Sequence, residues 1–349
     1  MSNSHRPYLC RVRDRYRGEL PLRGPVDYLV ENQDRVLAAL KAKDLTPQVF
    51  YHSAEDMKEL DSDSVQLVVT SPPYPMIEMW DGLFEKILHM PKGSFSRQTK
   101  AFELSHEFLD GIWAECFRVL DQGGILCVNV GDATRTFAGS FQCYLNHARV
   151  AVDCERIGFQ SLVPILWRKP TNKPNAFLGS GFFPPNAYVT LDCEYILIFR
   201  KGPKRIVIPQ DPLRYASQYS KAERDVWFSQ VWDFRGERQN HAETAPFPDE
   251  LPYRLIRMFS CLGDAVLDPF LGSGTTLRIA RVLGRKGIGY EINPSLKPLV
   301  DRSVQLSPPD PAHIIEHLQR MYEISGDLPS LLVSSKGRSL EDKSLSAFP

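Results

Sequence analysis

The sequence predicts an α/β protein built on a doubly wound, mainly parallel sheet. First, short apolar, β-branched runs alternate with segments of helical spacing along most of the 349 residues. Second, the run 65–70 ends in Ser71-Pro72-Pro73-Tyr74 and the run 265–267 ends in a turn with two glycines, 268–276. Sites on open α/β sheets form at such strand ends. Third, the length fits two domains, or one large α/β domain carrying an insertion, at roughly 150 residues per domain.

Taken in order, residues 1–47 form a basic N-terminal segment. Arg6, Arg11, Arg13, Arg15, Arg17 and Arg23 outweigh Asp14 and Glu19, as in a solvated arm, a helix start, or an arm that touches phosphates. A strand at 48–51 follows, then 53–57, which reads as a capped turn into a helix. The run 65–70 is a buried strand. Residues 108–120 have helical spacing, Gly123 and Gly124 stop it, and 125–130 is the next strand. A helix at 146–157 leads to a strand at 162–167, a polar Gly/Pro-rich loop to about residue 190, and a strand at 195–199. Residues 201–240 have weak periodicity, with Trp227, Trp232 and Phe234 reading as a small core. A helix at 251–260, the strand 265–267, a helix ending near 283 and a strand at 287–291 complete the alternation. From 307 the chain is Pro-rich, with one helix at 313–321 and a Ser/Lys tail from 334 expected to be disordered.

Lys+Arg and Asp+Glu balance at 42 each, which excludes a wholly basic binder but not a local basic cleft. The seven cysteines include no CxxC pair and no zinc-like spacing, so neither a metal site nor a disulfide framework is expected. No run approaches the roughly 18 apolar residues of a membrane span, and the start lacks a secretory apolar stretch. A cytoplasmic protein with no membrane partner is the expectation.

The glycines at 272 and 274 let backbone approach a ligand, and the following helix offers free N–H groups. A P-loop would need a lysine in place of Thr275, and a dinucleotide fingerprint would need glycine at Leu277. Both are missing, which argues against nucleotide hydrolysis and leaves an amino-acid-bearing nucleoside. Glu291 ends the next strand, where an acidic residue can accept from both ribose hydroxyls. At the other turn, two prolines remove backbone donors and leave carbonyls and the Ser71 hydroxyl as acceptors, with Tyr74 as a flat face. That equipment suits an amino group on an aromatic ring. Ser307-Pro308-Pro309 has neither strand nor aromatic beside it and reads as linker.

Together these motifs resemble the amino-group DNA methyltransferases, with the motif order of the β class. The catalytic Ser-Pro-Pro-Tyr precedes the methyl-donor turn Asp268-Pro269-Phe270-Leu271-Gly272-Ser273-Gly274-Thr275-Thr276. Residues 165–170 look like that family's later active-site strand, and 241–248 with the helix 251–260 like its donor-binding lead-in. The resemblance covers about 48–306. It implies a Rossmann-like S-adenosylmethionine-dependent methyltransferase fold with a circularly permuted motif order and a target-recognition insertion, the two ends of the permuted core lying side by side.

It further implies methyl transfer from S-adenosyl-L-methionine to the amino group of a base flipped out of double-stranded DNA. Ser71, Pro72, Pro73 and Tyr74 would act on the amine. Asp268, Phe270, Gly272, Ser273, Gly274, Thr275, Glu291, His241 and Phe247 would hold the donor. Family members often carry an Asp after the first strand to contact the donor adenine; here Ser53 or Glu55 would serve, or Ser53 is a helix cap. Ser rather than Asp at position 71 resembles the N4-cytosine branch, and N6 of adenine is the alternative target. Lys169, Asn172, Lys173, Lys201, Lys204 and Arg205 are the candidate DNA contacts. Trp80 and Asp81 either line the pocket or pack.

The implied division is a catalytic half at 48–168, target recognition at 169–240, a donor-binding half at 241–306, and a C-terminal helix with tail at 307–349. A cognate restriction endonuclease is a candidate partner. A nucleotide hydrolase and a non-catalytic DNA-binding module are the rival classes.

Overall fold

The computed structural model describes residues 25–95, 100–137, 140–169, 184–185, 188–236 and 247–324. Nine strands form one sheet: β1 (Gln48–Phe50), β2 (Val65–Thr70), β3 (Leu120–Val130), β6 (Phe159–Ser161), β7 (Ile165–Arg168), β8 (Cys193–Lys201), β9 (Val231–Asp233), β10 (Ala265–Asp268) and β11 (Lys286–Tyr290). The order is β1-β11-β10-β2-β3-β8-β7-β9, with β6 paired to β8. β1, β11, β10, β2 and β3 are mutually parallel, and β8 runs antiparallel to β3 and β7. The order reverses between β10 and β2. From that seam β11 and β1 extend one way and β3 the other, opening a crevice at the carboxyl ends of the two strands.

Alternation along the strands assigns the two faces. Val266, Leu67 and Val69 enter one core with the helices Glu250–Phe259 and Thr275–Val282. Leu267, Val68, Leu126 and Val128 enter the other with the helices Ala101–Val119 and Asn146–Ile157. Both faces are covered, as parallel strands require. The β2–β10 register is pinned at its start by Gln66 Oε1, which accepts from Ala265 N at 2.9 Å.

Several boundaries differ from the expectation. Residues 53–57 turn without entering a helix, Glu55 N donating back to Ser53 Oγ, and further turns at 58–59 and 62–63 lead to β2. β3 begins at Leu120, ahead of the two glycines, and a register shift between Val65 and Leu67 absorbs the extra residues. A hairpin, β4 (Ala133–Phe137) with β5 (Ser140–Tyr144), rises beyond the end of β3 where none was expected. Of the basic N-terminal segment the described part is helical, Pro25–Glu31 and Gln33–Lys41, in keeping with the helix-start reading. Leu29, Val36 and Leu40 pack in the core with Ile314, Ile315 and Leu318 of the C-terminal helix Pro311–Ile324. Arg6 to Arg23 and the tail from 334 lie outside the described residues. The stretch 169–240 is not a body apart, since β8 and β9 inside it are strands of the main sheet and Trp227 and Trp232 are fully buried against that sheet's core.

The expected neighbourhood of the permuted ends is present. β1 pairs in parallel with β11, Glu291 N donates to Phe50 O at 2.9 Å, and Lys297 of the helix Lys297–Ser303 lies over the Tyr51 ring. No helix among the described residues is long and apolar enough to cross a membrane.

Candidate functional site

The two turns singled out in the sequence leave adjacent strands at the seam. Between them is a cavity of about 890 Å³ lined by Ser71, Pro72, Pro73 and Tyr74 on one side and by Asp268, Phe270, Gly272, Ser273 and Thr275 on the other. Its size is at the upper end of the roughly 300–1,000 Å³ typical of small-molecule sites. Ser53, Phe247, Glu291, Trp80 and Lys169 also line it.

Asp268 joins the two sides. Its carboxylate is buried; Oδ1 accepts from Thr70 Oγ1 of β2 at 2.6 Å and from Phe270 N at 3.1 Å, and Oδ2 accepts from Thr276 Oγ1 at 2.7 Å. Burial pushes its carboxyl up, and these three donors pull it back. Asp268 is therefore the clasp that ties the end of β2 to the start of the helix after β10.

On the glycine side, Gly272 has φ +54°, and an added Cβ would meet only the Phe270 carbonyl, at 3.9 Å. The left-handed backbone is what demands glycine, and the space beyond it is open toward the cavity. Gly272 N donates to Glu291 Oε2 and Asn293 N to Glu291 Oε1, both at 2.8 Å. Each carboxylate oxygen keeps a lone pair for a further donor. Burial raises the Glu291 carboxyl above its ordinary value. Gly274 does not line the cavity: at φ +87° it caps the helix, and a Cβ there would press within 2.5 Å of Val304 Cγ2. Its role is conformation and packing rather than the expected donor contact.

On the proline side, Ser71 Oγ and Tyr74 Oη are 2.9 Å apart. Tyr74 Oη also reaches Glu194 Oε2 at 3.1 Å and accepts from Asn129 Nδ2 at 2.9 Å, while Asn129 Nδ2 donates to Glu194 Oε2 at 2.7 Å. Lys169 Nζ pairs with Glu194 Oε1 and lies over the Trp167 ring. Burial and the Glu194 charge push the Tyr74 phenol well up. A second clamp lies behind the loop: Asn146 Nδ2 donates to Pro75 O and Gly131 O, both at 3.0 Å, and its Oδ1 meets His106 Nε2 at 3.1 Å. Burial lowers the His106 imidazole to about 4, so it is neutral near pH 7.

The remaining candidates divide. Ser53 Oγ lines the cavity and donates to Glu55 Oε2 at 3.0 Å, and Glu55 lines it too. Asp81 is taken by Arg135 at 2.8 Å. His241, Asn172 and Lys173 lie outside the described residues. The structure does not bring Lys201, Lys204 and Arg205 to the cavity. β8 is antiparallel, so its end falls at the opposite edge of the sheet from the cavity. There Lys201 Nζ is buried on the Leu120 carbonyl at 2.7 Å and on Asp63, and Arg205 is paired with Asp264 at 2.6 Å. Lys204 sits beside Gly123 at that same edge. A basic run counted along the chain had mixed residues that an antiparallel strand carries away from the site.

Sequence reasoning missed Asn129, Glu194 and Asn146. Each sits in an apolar run or at a helix start, and only a buried polar residue facing a strand end could have drawn attention to the first two. Among the described residues no group of His, Cys, Asp and Glu is arranged to hold a metal ion.

The sequence profile of a family described as DNA methylase matches residues 65–302. The chain is 53% identical over 274 residues to the Type II methyltransferase M.MjaI of Methanocaldococcus jannaschii, spanning 74% of this chain and 90% of that one. It is 45% identical to the Type II methyltransferase M.MthZI of Methanothermobacter thermautotrophicus, over 74% of this chain and 76% of that protein. Among solved structures it is similar to a protein of Thermus thermophilus, TTHA0409, assigned as a DNA modification methylase and solved with S-adenosyl-L-methionine. There the identity is 33% and the TM-score 0.59, covering 75% of this chain and 96% of the other.

Proposed function

The chain belongs to the N6/N4 amino-group DNA methyltransferase family, and from that premise we propose that it methylates the N4 amino group of a cytosine flipped out of double-stranded DNA. One observation carries the reading: an amine-accepting turn and a glycine turn leave adjacent strands and face a single cavity, clasped by Asp268. S-adenosyl-L-methionine fits the glycine side, where the missing Gly272 Cβ leaves a cradle and Glu291 keeps free lone pairs for ribose hydroxyls. When bound, it supplies an electrophilic methyl on a sulfonium.

The rest is done by the chain. Gly272, Ser273 and Thr275 place backbone and hydroxyls along the donor, with Phe247 and Phe270 as apolar walls. Ser71 Oγ and the Pro72 carbonyl accept the two hydrogens of the amine. Drawing those hydrogens out of the ring plane loosens the nitrogen lone pair from the aromatic system and directs it across the cavity, so positioning supplies much of the rate enhancement. The Tyr74 ring stacks on the base and offsets part of the stacking lost in flipping, worth roughly 1–3 kcal/mol by analogy with other base–aromatic contacts. No covalent enzyme intermediate is required, in keeping with three buried thiols, Cys116, Cys127 and Cys154, whose acidity burial suppresses.

Ser71 in place of an acidic residue supports cytosine over adenine. Lys169 and the stretch after it are the proposed beginning of target recognition, within the proposed division of catalytic half 48–168, recognition 169–240 and donor half 241–306. A cognate restriction endonuclease is the proposed partner, since the relatives named above are Type II methyltransferases. The test is direct: unmethylated DNA incubated with the protein and methyl-labelled donor is digested to nucleosides, which are identified by mass. N4-methylcytosine is expected. N6-methyladenine would replace the base assigned, and an unmodified digest would overturn the reading.

A further inference from the structure

Resting on that reading, we propose that Glu194 sets the direction of a hydrogen-bond chain through Tyr74 to Ser71, so that Ser71 Oγ meets the target as an acceptor only and Glu194 receives the proton the methylated amine gives up.

The direction follows from counting hydrogens. A carboxylate only accepts; a phenol has one hydrogen and two lone pairs. The Tyr74 hydrogen goes to Glu194 Oε2 at 3.1 Å. Asn129 Nδ2 donates to Tyr74 Oη at 2.9 Å, filling one lone pair. The remaining contact, Ser71 Oγ at 2.9 Å, must then be a donation from Ser71. Its only hydrogen is spent, and two lone pairs are left.

The Asn129 amide is fixed by the same logic. Nδ2 also donates to Glu194 Oε2 at 2.7 Å, and the flipped amide would set oxygen against carboxylate. Asn129 Oδ1 is left buried and without a hydrogen-bond partner in a side chain that is 2% exposed and borders the cavity. An unpaired buried acceptor is costly unless a ligand supplies the donor. This wall therefore offers Ser71 Oγ and the Pro72 carbonyl, both acceptors. A base presenting an amino group matches it; a keto oxygen in the same place, as on thymine or uracil, would face only lone pairs.

The corner is built tightly enough to hold this order. A Cβ on Gly131 would stand 3.0 Å from Tyr74 Cε2 and 3.2 Å from Glu194 Cγ. Lys169 occupies Glu194 Oε1 and leaves Oε2 to the chain.

The same chain carries a proton outward. After methylation the amine nitrogen is cationic. One N–H bond breaks and its electron pair stays on nitrogen. The proton passes to Ser71 Oγ as the Ser71 hydrogen moves to Tyr74 Oη and the Tyr74 hydrogen to Glu194 Oε2. The products are a neutral methylated amine and a protonated Glu194, with Ser71 and Tyr74 each holding one hydrogen as before. Solvent resets Glu194 after release.

Among the described residues the titratable groups against Glu194 are Tyr74 and Lys169. Around the rest of the cavity stand Glu55, Lys86, His89, Asp268 and Glu291. The experiment is single-turnover methylation of unmethylated plasmid DNA from about pH 5 to 9, with donor saturating at every pH and the product nucleosides identified by mass. Wild type should lose rate on the acid side. Glu194→Gln should slow transfer by about 10²-fold, the lower range of acid–base contributions, and abolish the acid limb. Glu194→Asp should keep the limb. Tyr74→Phe leaves the carboxylate in place but severs the chain, so its limb should vanish too. In the protein alone, Glu194→Gln should also lower the ionisation of Tyr74 in a tyrosine absorbance titration, with Tyr74→Phe as the blank. An acid limb that survives in either Glu194→Gln or Tyr74→Phe would come from another cavity group and overturn the proposal, as would transfer within about twofold of wild type. Should Glu194→Gln not fold, Tyr74→Phe decides alone. Wild type that yields no methylated amine would instead bring down the functional reading.

Discussion

The two sides of the cavity are built on different principles. The glycine side is made by one continuous run: β10, its turn and the next helix, completed by Glu291 some 19 residues beyond Gly272. Its groups are mostly backbone N–H and a left-handed turn. The proline side is assembled from four strand ends. Tyr74 meets Asn129 across 55 residues and Glu194 across 120. Its groups are side chains whose protons must be ordered. A donor common to many proteins can be held by backbone geometry, while an aryl amine has to be told apart from a keto group by the direction of hydrogen bonds. Asp268 belongs to both sides.

The sharpest way to separate the sides is Ser71→Ala. It removes an acceptor from the amine and leaves the glycine turn intact. Single-turnover transfer should fall by about 10²–10³-fold, the loss seen when one preorganised transition-state contact is deleted. The donor dissociation constant, read by calorimetry, should stay within about twofold. A matching loss of donor affinity would show that the two sides are not independent.

Asp268→Ala should instead damage both. It leaves the Thr70 and Thr276 hydroxyls and Phe270 N–H without their acceptor in a buried place. At about 1 kcal/mol or more for each orphaned group, a loss of roughly 3 kcal/mol in urea denaturation is expected, together with weaker donor binding. A variant as stable as wild type but unable to bind donor would mean that Asp268 is a ligand group and not a clasp.

This division explains what could be read in advance. Asp268, Gly272 and Glu291 announce themselves because their chemistry needs a local sequence pattern, a strand end, a φ near +54° and a return strand of fixed length. Ser71-Pro72-Pro73-Tyr74 is legible for the same reason. Glu194 is not: it is one acid in an apolar strand, and its meaning comes from β8 lying antiparallel beside β3, which brings Glu194 close to Asn129. That same antiparallel course carries Lys201 and Arg205 away from the cavity. Gly274 shows the converse, a motif glycine whose cause is Val304 and not the ligand.

The glycine side can be tested through its charge. Burial holds the Glu291 carboxyl above the ordinary 4.5. Ribose hydroxyls need the ionised form, so donor affinity should fall as pH drops through a value higher than that of a free glutamate. Binding there should release a proton, seen as a buffer-dependent heat. Without donor the sign reverses: a raised folded value makes the ionised group a cost, so its contribution to stability is present below 4.5 and lost as pH rises through the folded value. Glu291→Gln should weaken donor binding about tenfold, the scale of one charge-assisted hydrogen bond, and flatten its acid limb. A limb that persists would place the proton elsewhere.

The smallest effect is expected at the edge of the sheet away from both turns. Lys204 is exposed there beside Gly123, next to the Arg205–Asp264 pair that ties this loop to the start of β10. A phosphate contact contributes about one unit to the slope of log affinity against log salt. Lys204→Ala should leave that slope unchanged and DNA affinity within about twofold, whereas Lys169→Ala, at the cavity, should lower both transfer and affinity. A slope reduced by one in Lys204→Ala would mean that DNA wraps to the far edge, and the contrast between a reactive crevice and an inert rear of the sheet would then fail.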